Sequence, residues 1–255
     1  MTLSNEPFYL KGDRPEAILF LHGLGGGVYE LRPLADHLHQ TGFTVYGFNY
    51  PGHENPKPLM PASNWKQWYS KAKEAYIRLR QDFERIHLIG FSTGVPLAVY
   101  LAHENPIGKL IALSPFYQIK YKWYYVLPVE FYVQTIGRLI EHVPRRKLPI
   151  RDQIKLVEAE QVSHFHTFNL SAVRSALELI ELSRLKLPLI HAPTLVLQSR
   201  RDQVVDPKGA EFFFRHLSSC EKKLIWFEDS DHVLTLDHER DQVYQRVLEF
   251  LSKVN

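Results

Sequence analysis

Apolar and polar positions along the chain follow two alternating rhythms. AILFLHG (17–23), TVYGFNY (44–50), RIHLIGFS (85–92) and KLIALSP (109–115) are short apolar runs rich in strand formers, and each reads as a buried strand. Between them VYELRPLADHLHQTG (28–42), WKQWYSKAKEAYIRLRQDF (65–83) and TGVPLAVYLAHEN (93–105) carry helical periodicity. Gly42 and the Pro51-Gly52 pair act as stops. Strand and helix in alternation predict βαβ units and a mainly parallel sheet. The rhythm lapses over 116–187, where two helical stretches, Tyr124 to His142 and Leu170 to Lys186, flank a Pro- and Arg-containing connection. It resumes with strand 192–199, helix 207–217, strand 222–228 and a last helix from Leu236 to Ser252. Since the strands on both sides share one style, the expectation is one core domain, 1–115 with 188–255, interrupted by a helical cap insertion, 116–187.

Composition narrows the class without naming it. In 255 residues, 45% hydrophobic and 23% charged positions describe a soluble globular chain able to bury a large core. Lys and Arg total 31 against 28 Asp and Glu, a surplus too small, and with no basic cluster, for a nucleic-acid footprint. That surplus falls in the insertion, which carries 11 basic and 7 acidic residues, so weak contact of the cap with an anionic lipid surface is conceivable. One cysteine, Cys220, excludes an internal disulfide and a cysteine-based metal site. The first 16 residues lack a signal-peptide pattern, and even Tyr121 to Ile140 is broken by Lys122, Pro128, Glu130 and Arg138, so a cytoplasmic protein without membrane insertion is expected. Monomer and homodimer both remain open.

Candidate chemistry sits at the strand ends. Gly90-Phe91-Ser92-Thr93-Gly94 lies where a strand meets a helix, the setting of a nucleophile elbow: the serine takes a sharp turn, and flanking glycines remove Cβ atoms that would clash. His22-Gly23-Leu24-Gly25-Gly26-Gly27 ends the first buried strand. A Gly-rich backbone there lets amides approach an oxyanion, with Leu24 and Thr93 as the expected donors. A phosphate loop is disfavoured, since neither Gly-Lys-Ser/Thr nor a full G-x-G-x-x-G follows. Asp202 follows one strand and His232 another, on the same sheet edge as Ser92, and the order Ser92, Asp202, His232 is that of nucleophile, acid and base. Asp206, before Pro207, reads as a helix cap. His37 with His39 and His164 with His166 look like metal pairs, but no further ligand follows at suitable spacing, and no metal or cofactor is expected. His53 reads either as a turn residue or as a border of the site.

Together HGLGGG, GFSTG, APTLVLQSRRDQVVDP and SDHVLTLDHERDQV resemble the bacterial carboxylesterase and monoacylglycerol lipase branch of the serine α/β-hydrolases. The resemblance spans nearly the whole chain and implies an α/β-hydrolase fold, a Ser92, His232 and Asp202 triad, an oxyanion hole from Leu24 and Thr93, and a helical cap over an acyl site. Two positions depart from the family: Val95 and Pro96 replace a further glycine after the elbow, and Arg201 replaces a residue that is often His. The cap is rich in aromatics, and Phe116, Tyr117, Tyr121 and Tyr124 are the expected substrate-pocket residues, with tyrosine hydroxyls at its mouth; about half of the cap aromatics are expected merely to pack. The expected activity is hydrolysis of small carboxylic esters, medium-chain acyl esters or monoacylglycerols, through an acyl-enzyme. Amide, thioester, lactone or C–C hydrolysis on the same fold is the alternative, followed by a non-enzymatic binding protein. An Asp-nucleophile dehalogenase or epoxide hydrolase is disfavoured because Ser92 stands at the elbow.

Overall fold

The computed structural model describes residues 3–54, 58–120, 135, 140–145, 147–163 and 165–253. Seven strands form the central sheet: β1 (Phe8–Leu10), β2 (Glu16–Leu21), β3 (Thr44–Gly47), β4 (Arg85–Phe91), β5 (Leu110–Leu113), β8 (Thr194–Ser199) and β9 (Lys222–Phe227). Their order is β1-β3-β2-β4-β5-β8-β9, and every pairing is parallel except that of β1 with β3. The mainly parallel sheet follows from the continuous apolar runs, because strands buried on both faces need no polar alternation.

Successive side chains of one strand serve opposite cores. Ala17, Leu19 and Leu21 of β2 join Leu88, Leu110, Ala112 and Val196 on one face. Ile18 and Phe20 join Ile89, Phe91, Ile111, Leu113, Leu195 and Leu197 on the other. The first face is covered by α2 (Trp65–Arg80), α3 (Gly94–Glu104), α5 (Leu170–Arg184) and α6 (Pro207–His216), the second by α1 (Arg32–Gln40) and α7 (Arg240–Ser252). Each fully buried Leu or Ile contributes about 1.5–3 kcal/mol to the assembly.

Local signals set the helix ends. Asn64 starts α2 with a reciprocal capping box: its side chain accepts from the Gln67 N–H at 3.1 Å, and the Gln67 side chain accepts from the Asn64 N–H at 3.0 Å. Asp206 caps α6 by accepting from the Lys208 N–H at 2.9 Å, with Pro207 in the first turn, as its sequence context suggests.

Several elements differ from expectation. The helix expected over 28–42 is divided into a 3-10 turn, Val28–Glu30, and α1. Pro33 in the first turn of α1 has no N–H to give, so an α-helical ladder cannot run through it. The last helix begins at Arg240 instead of Leu236 because Val233 to Asp237 form turns. β1, three residues at the sheet edge, was too short for the pattern to reveal.

The chain between β5 and β8 is less purely helical than its composition suggests. Its described parts include α4 (Gln153–Val162), α5, and a two-stranded antiparallel ribbon of β6 (His142–Pro144) with β7 (Thr167–Asn169). The helix expected over Tyr124 to His142 lies almost wholly outside the described residues, and its final position, His142, belongs to β6. α4 was not anticipated: Leu156 and Ala159 are buried while Ile154 and Val157 are exposed, so apolar residues lie on both sides and no helical stripe stands out.

Candidate active site

Ser92 directly follows β4 and adopts φ of +53°, a left-handed conformation that a non-glycine residue rarely takes. The surrounding glycines show why the chain can make this turn. A Cβ on Gly94 would lie 2.0 Å from the Leu21 carbonyl oxygen, and one on Gly90 would lie 2.6 Å from the Gly94 carbonyl oxygen. The Ser92 N–H donates to the Leu113 carbonyl at 2.9 Å and its own carbonyl accepts from Val95 at 3.0 Å, so β5 and α3 both hold the turn. Pro96 sits in the first turn of α3, where its missing N–H is tolerated.

The loops after β8 and β9 bring the other two residues to this turn. His232 Nε2 lies 3.0 Å from Ser92 Oγ, and His232 Nδ1 lies 2.7 Å from Asp202 Oδ2. Asp202, fully buried, also accepts at Oδ1 from the N–H groups of Val204 at 2.8 Å and Val205 at 2.9 Å, and at Oδ2 from Gln198 Nε2 at 3.0 Å. A carboxylate so surrounded is an acceptor, so His232 carries its proton at Nδ1 and presents the Nε2 lone pair to the serine hydroxyl.

The electrostatics match that assignment. Burial alone would raise the carboxyl of Asp202, but the charge and hydrogen bond of His232 and the amides of Val205 and Val204 outweigh it and hold Asp202 below its ordinary range. Burial likewise would lower His232, yet Asp202, followed by Glu30 and Asp231, raises it above the usual imidazole value. Asp202 thus stays ionised while His232 is primed to accept a proton.

Residues that pattern reading did not single out fix these loops. Ser114, also left-handed at φ of +46°, donates through Oγ to the His232 carbonyl at 2.7 Å. Asp231 joins the two loops by accepting from the Gln203 N–H at 2.8 Å. Asp237, fully buried, accepts from the N–H groups of Asp231 at 2.6 Å, His238 at 2.9 Å, Asp152 at 2.9 Å and Arg151 at 3.0 Å. Only the TLD stretch after His232 hinted at it in the sequence.

The glycine loop after β2 lies against the serine. A Cβ on Gly23 would approach Ser92 Cβ to 3.2 Å, which places the start of this loop, and Leu24 beside it, over the elbow. Thr93 is the N-cap of α3, so its backbone lies at the positive end of a helix. Two buried histidines hold the loop. His22 Nε2 accepts from the Tyr50 N–H at 3.1 Å, leaving Nδ1–H to donate to the Gly23 carbonyl at 2.8 Å. His53 Nε2 accepts from the Gly25 N–H at 3.0 Å. Burial lowers His22 well below its ordinary value and His53 to about 4, so both stay neutral at physiological pH. His53 is therefore a support of the loop beneath the site, not a simple turn residue.

The expected substrate residues divide. The Phe116 N–H bonds the Ser92 carbonyl at 3.3 Å, so the insertion starts beside the elbow. Tyr117 is buried with its ring 5.1 Å from that of Phe213, and its hydroxyl accepts from Ser183 Oγ at 3.0 Å. Its hydroxyl is not at a pocket mouth; the residue packs α5 against α6. Tyr121 and Tyr124 lie outside the described residues. A hollow of about 560 Å³ lies between residues 116–119 and α5, but Ser92, Asp202 and His232 are not among its described lining. The imidazoles of His37 and His39 diverge: His39 Nδ1 lies 3.3 Å from the Phe43 carbonyl, while His37 packs 5.5 Å from the Tyr244 ring.

This sheet order, with a left-handed serine after the central strand β4 and an Asp and a His just past the ends of β8 and β9, defines an α/β-hydrolase. Residues 12–239 match the family described as serine aminopeptidase, S33 (Hydrolase_4), and the chain belongs to it. It is 28% identical to a carboxylesterase of Bacillus subtilis (strain 168), over 98% of this chain and 97% of the relative. It is 29% identical to a thermostable monoacylglycerol lipase of Bacillus sp. (strain H-257), over 97% and 94% of the two chains. Among solved structures, one from work on the metagenome-derived lipolytic enzymes LipS and LipT superposes with a TM-score of 0.85 at 25% identity, covering 100% of both chains. The monoacylglycerol lipase of Paleococcus ferrophilus superposes with a TM-score of 0.81 at 20% identity, covering 98% of both, and supports the fold.

Proposed function

We propose that this protein is a serine hydrolase of carboxylic esters that acts through an acyl-enzyme, with Ser92 as nucleophile, His232 as base and acid, and Asp202 as the group that orients the imidazole. The observation that carries this reading is the continuous line of contacts from Ser92 Oγ through His232 to Asp202. Ser92 Oγ attacks the ester carbonyl as His232 Nε2 takes its proton. The amides of Leu24 and Thr93 receive the oxyanion. Collapse expels the alcohol, protonated by His232, and a water activated by the same imidazole then releases the acid and restores Ser92. No cofactor takes part in these steps.

Medium-chain acyl esters and monoacylglycerols are the proposed substrates, supported by the names of the two Bacillus relatives. We read residues 116–187 as a cap over the acyl site, entered beside Phe116. Ser92→Ala should abolish hydrolysis of p-nitrophenyl butyrate and labelling by a fluorophosphonate, while leaving the melting temperature within a few degrees of wild type. Retained turnover would overturn the assignment. A chain-length series of p-nitrophenyl esters and monoacylglycerols tests the substrate class, since equal rates on acetate and decanoate esters count against a long acyl pocket. The description of the family as aminopeptidases motivates a second reading, amide hydrolysis, which matched ester and anilide substrates separate.

The cytoplasm is the proposed compartment; among the described residues no helix is long and apolar enough to cross a membrane. The positive surplus of residues 116–187, with Ile154 and Val157 exposed beside Lys155, supports weak contact with anionic lipid surfaces. Liposome binding insensitive to anionic lipid content would count against that contact.

A further inference from the structure

Glu30 ends the 3-10 turn after the glycine loop and is 3% exposed, an unusual place for a carboxylate without a contact ion pair. Its side chain lies against Gly26: a Cβ there would come within 2.0 Å of Oε2 and 2.4 Å of Oε1, so the loop carries glycine where the carboxylate needs the space. Oε2 is buried with no hydrogen-bond partner among the described residues. The main chain of Glu30 is tied to the His232 loop, since Thr235 Oγ1 donates to its carbonyl. The next loop residue back, Gly25, is gripped on both peptide faces: His53 accepts from its N–H, and Arg145, from the segment after β6, donates to its carbonyl.

We propose that Glu30 is a positioning residue of the active site, whose buried carboxylate braces the oxyanion loop at Gly26 and whose negative charge supports the imidazolium form of His232. The proposal rests on the serine hydrolase reading above. Its logic is one of placement. The reaction creates a positive imidazolium at His232 while a negative oxyanion forms near Leu24 and Thr93. A fixed anion behind the glycine loop favours the first charge, while its shape keeps the amides of the loop in register for the second. A neutral glutamine would fill the same volume and supply the same brace, but not the field.

The groups facing Glu30 are consistent with an ionisable carboxylate held near its tipping point. Burial pushes it up to about 7, against the opposing pull of Arg145, His232 and the amides of Gly27 and Gly23. Tyr29, from the same turn, and Tyr50, after β3, also face it, and both are held neutral: burial and the Glu30 charge push Tyr29 up to about 12 and Tyr50 well above its ordinary value. Glu30 in turn raises His232. The influence is mutual in sign: the charge of His232 favours the Glu30 anion, and the charge of Glu30 favours the imidazolium.

Keeping this anion reduces stability. A carboxyl raised in the folded state contributes stability below its unfolded value, and loses that contribution as pH rises through about 7. Glu30→Gln is therefore expected to melt above wild type at pH 8, with the gap narrowing at pH 5. On p-nitrophenyl butyrate the same variant should lose about tenfold in kcat with KM within about twofold, and the acid limb of its pH profile should move to lower pH, because removing a negative charge lowers the imidazole pKa. Arg145→Met should move that limb to lower pH as well, because without the cation Glu30 carries less negative charge at a given pH and supports the imidazolium less; this variant keeps the test decisive if Glu30→Gln does not fold. An acid limb that coincides with wild type in Glu30→Gln, or that stays or rises in Arg145→Met, overturns the proposal. Wild type that neither hydrolyses the ester nor reacts with a fluorophosphonate overturns the serine hydrolase reading instead, so the two failures are distinguishable.

Discussion

At the residue scale, the site works by opposing shifts in a bonded pair. Asp202 is held low and His232 is raised, so the proton stays on His232 Nδ1 and Nε2 remains the basic atom. In the proposed mechanism hydrolysis requires neutral His232, and the acid limb of kcat/KM should therefore have its midpoint above the value of about 6.5 of a free imidazole. Asp202→Asn removes the charge and favours the wrong tautomer. It should cut kcat on the order of 10³–10⁴-fold and move the limb to lower pH, which a pH series on purified enzyme checks. Ser92, Asp202 and His232 were legible in the sequence because each sits just past a strand, and strands are what apolar runs reveal. Ser114 and Glu30 were not, since their importance comes from a backbone twist or from a partner far along the chain. The hydroxyl of Ser114 meets a carbonyl 118 positions away, and no local pattern encodes that meeting.

At the element scale, the site depends on how closely the elbow approaches β2. Gly94 opens α3 under the Leu21 carbonyl, and any Cβ at this position must displace a strand of the sheet. Gly94→Ala should destabilise the fold by about 3 kcal/mol or more and lower soluble yield, read by urea denaturation. Asp237 tests a different link. Its carboxylate gathers N–H groups from Arg151 and Asp152, from Asp231 and from His238, and so binds the start of α4 to the loop that carries His232. Asp237→Asn replaces an acceptor oxygen by a donor facing those N–H groups. A loss of about 2–3 kcal/mol is expected in denaturant melts, with kcat falling and KM changing little, because His232 loses its tether while the substrate-binding side keeps its contacts. The elements that periodicity located well, β4 and α2 above all, are long and have defined ends. Those it missed, β1 and the β6 and β7 ribbon, are three-residue strands whose pairing is set by the surrounding fold.

At the scale of the whole molecule, three buried histidines make folding sensitive to acid. Burial lowers His22 well below its ordinary value and brings His53 and His87 each to about 4, with the Glu16 carboxylate beside His87 opposing the shift. In the unfolded chain each titrates near 6.5, so their contribution to stability is complete above that pH and is lost as pH falls toward the folded values. Each can add up to about 1.4 kcal/mol of destabilisation per pH unit, and three acting together approach about 4 kcal/mol per unit. Glu30, raised to about 7, acts in the opposite sense over the same range and reduces the slope without reversing it, since it is one group against three; His232 is raised above 6.5, so its contribution changes only above that pH. Urea denaturation at pH 8, 6 and 5 should show stability falling steeply between 6.5 and 5. His87 is the one to remove, because it lies near the start of β4, beside Arg85 and Gly108, at the opposite end of the strand from the serine. His87→Gln should cut the net acid slope by about half while leaving ester hydrolysis at neutral pH unchanged. An unaltered slope would mean that protonation of His87 does not drive acid unfolding, and would leave the two histidines beneath the glycine loop to account for it, linking loss of the fold to loss of the site.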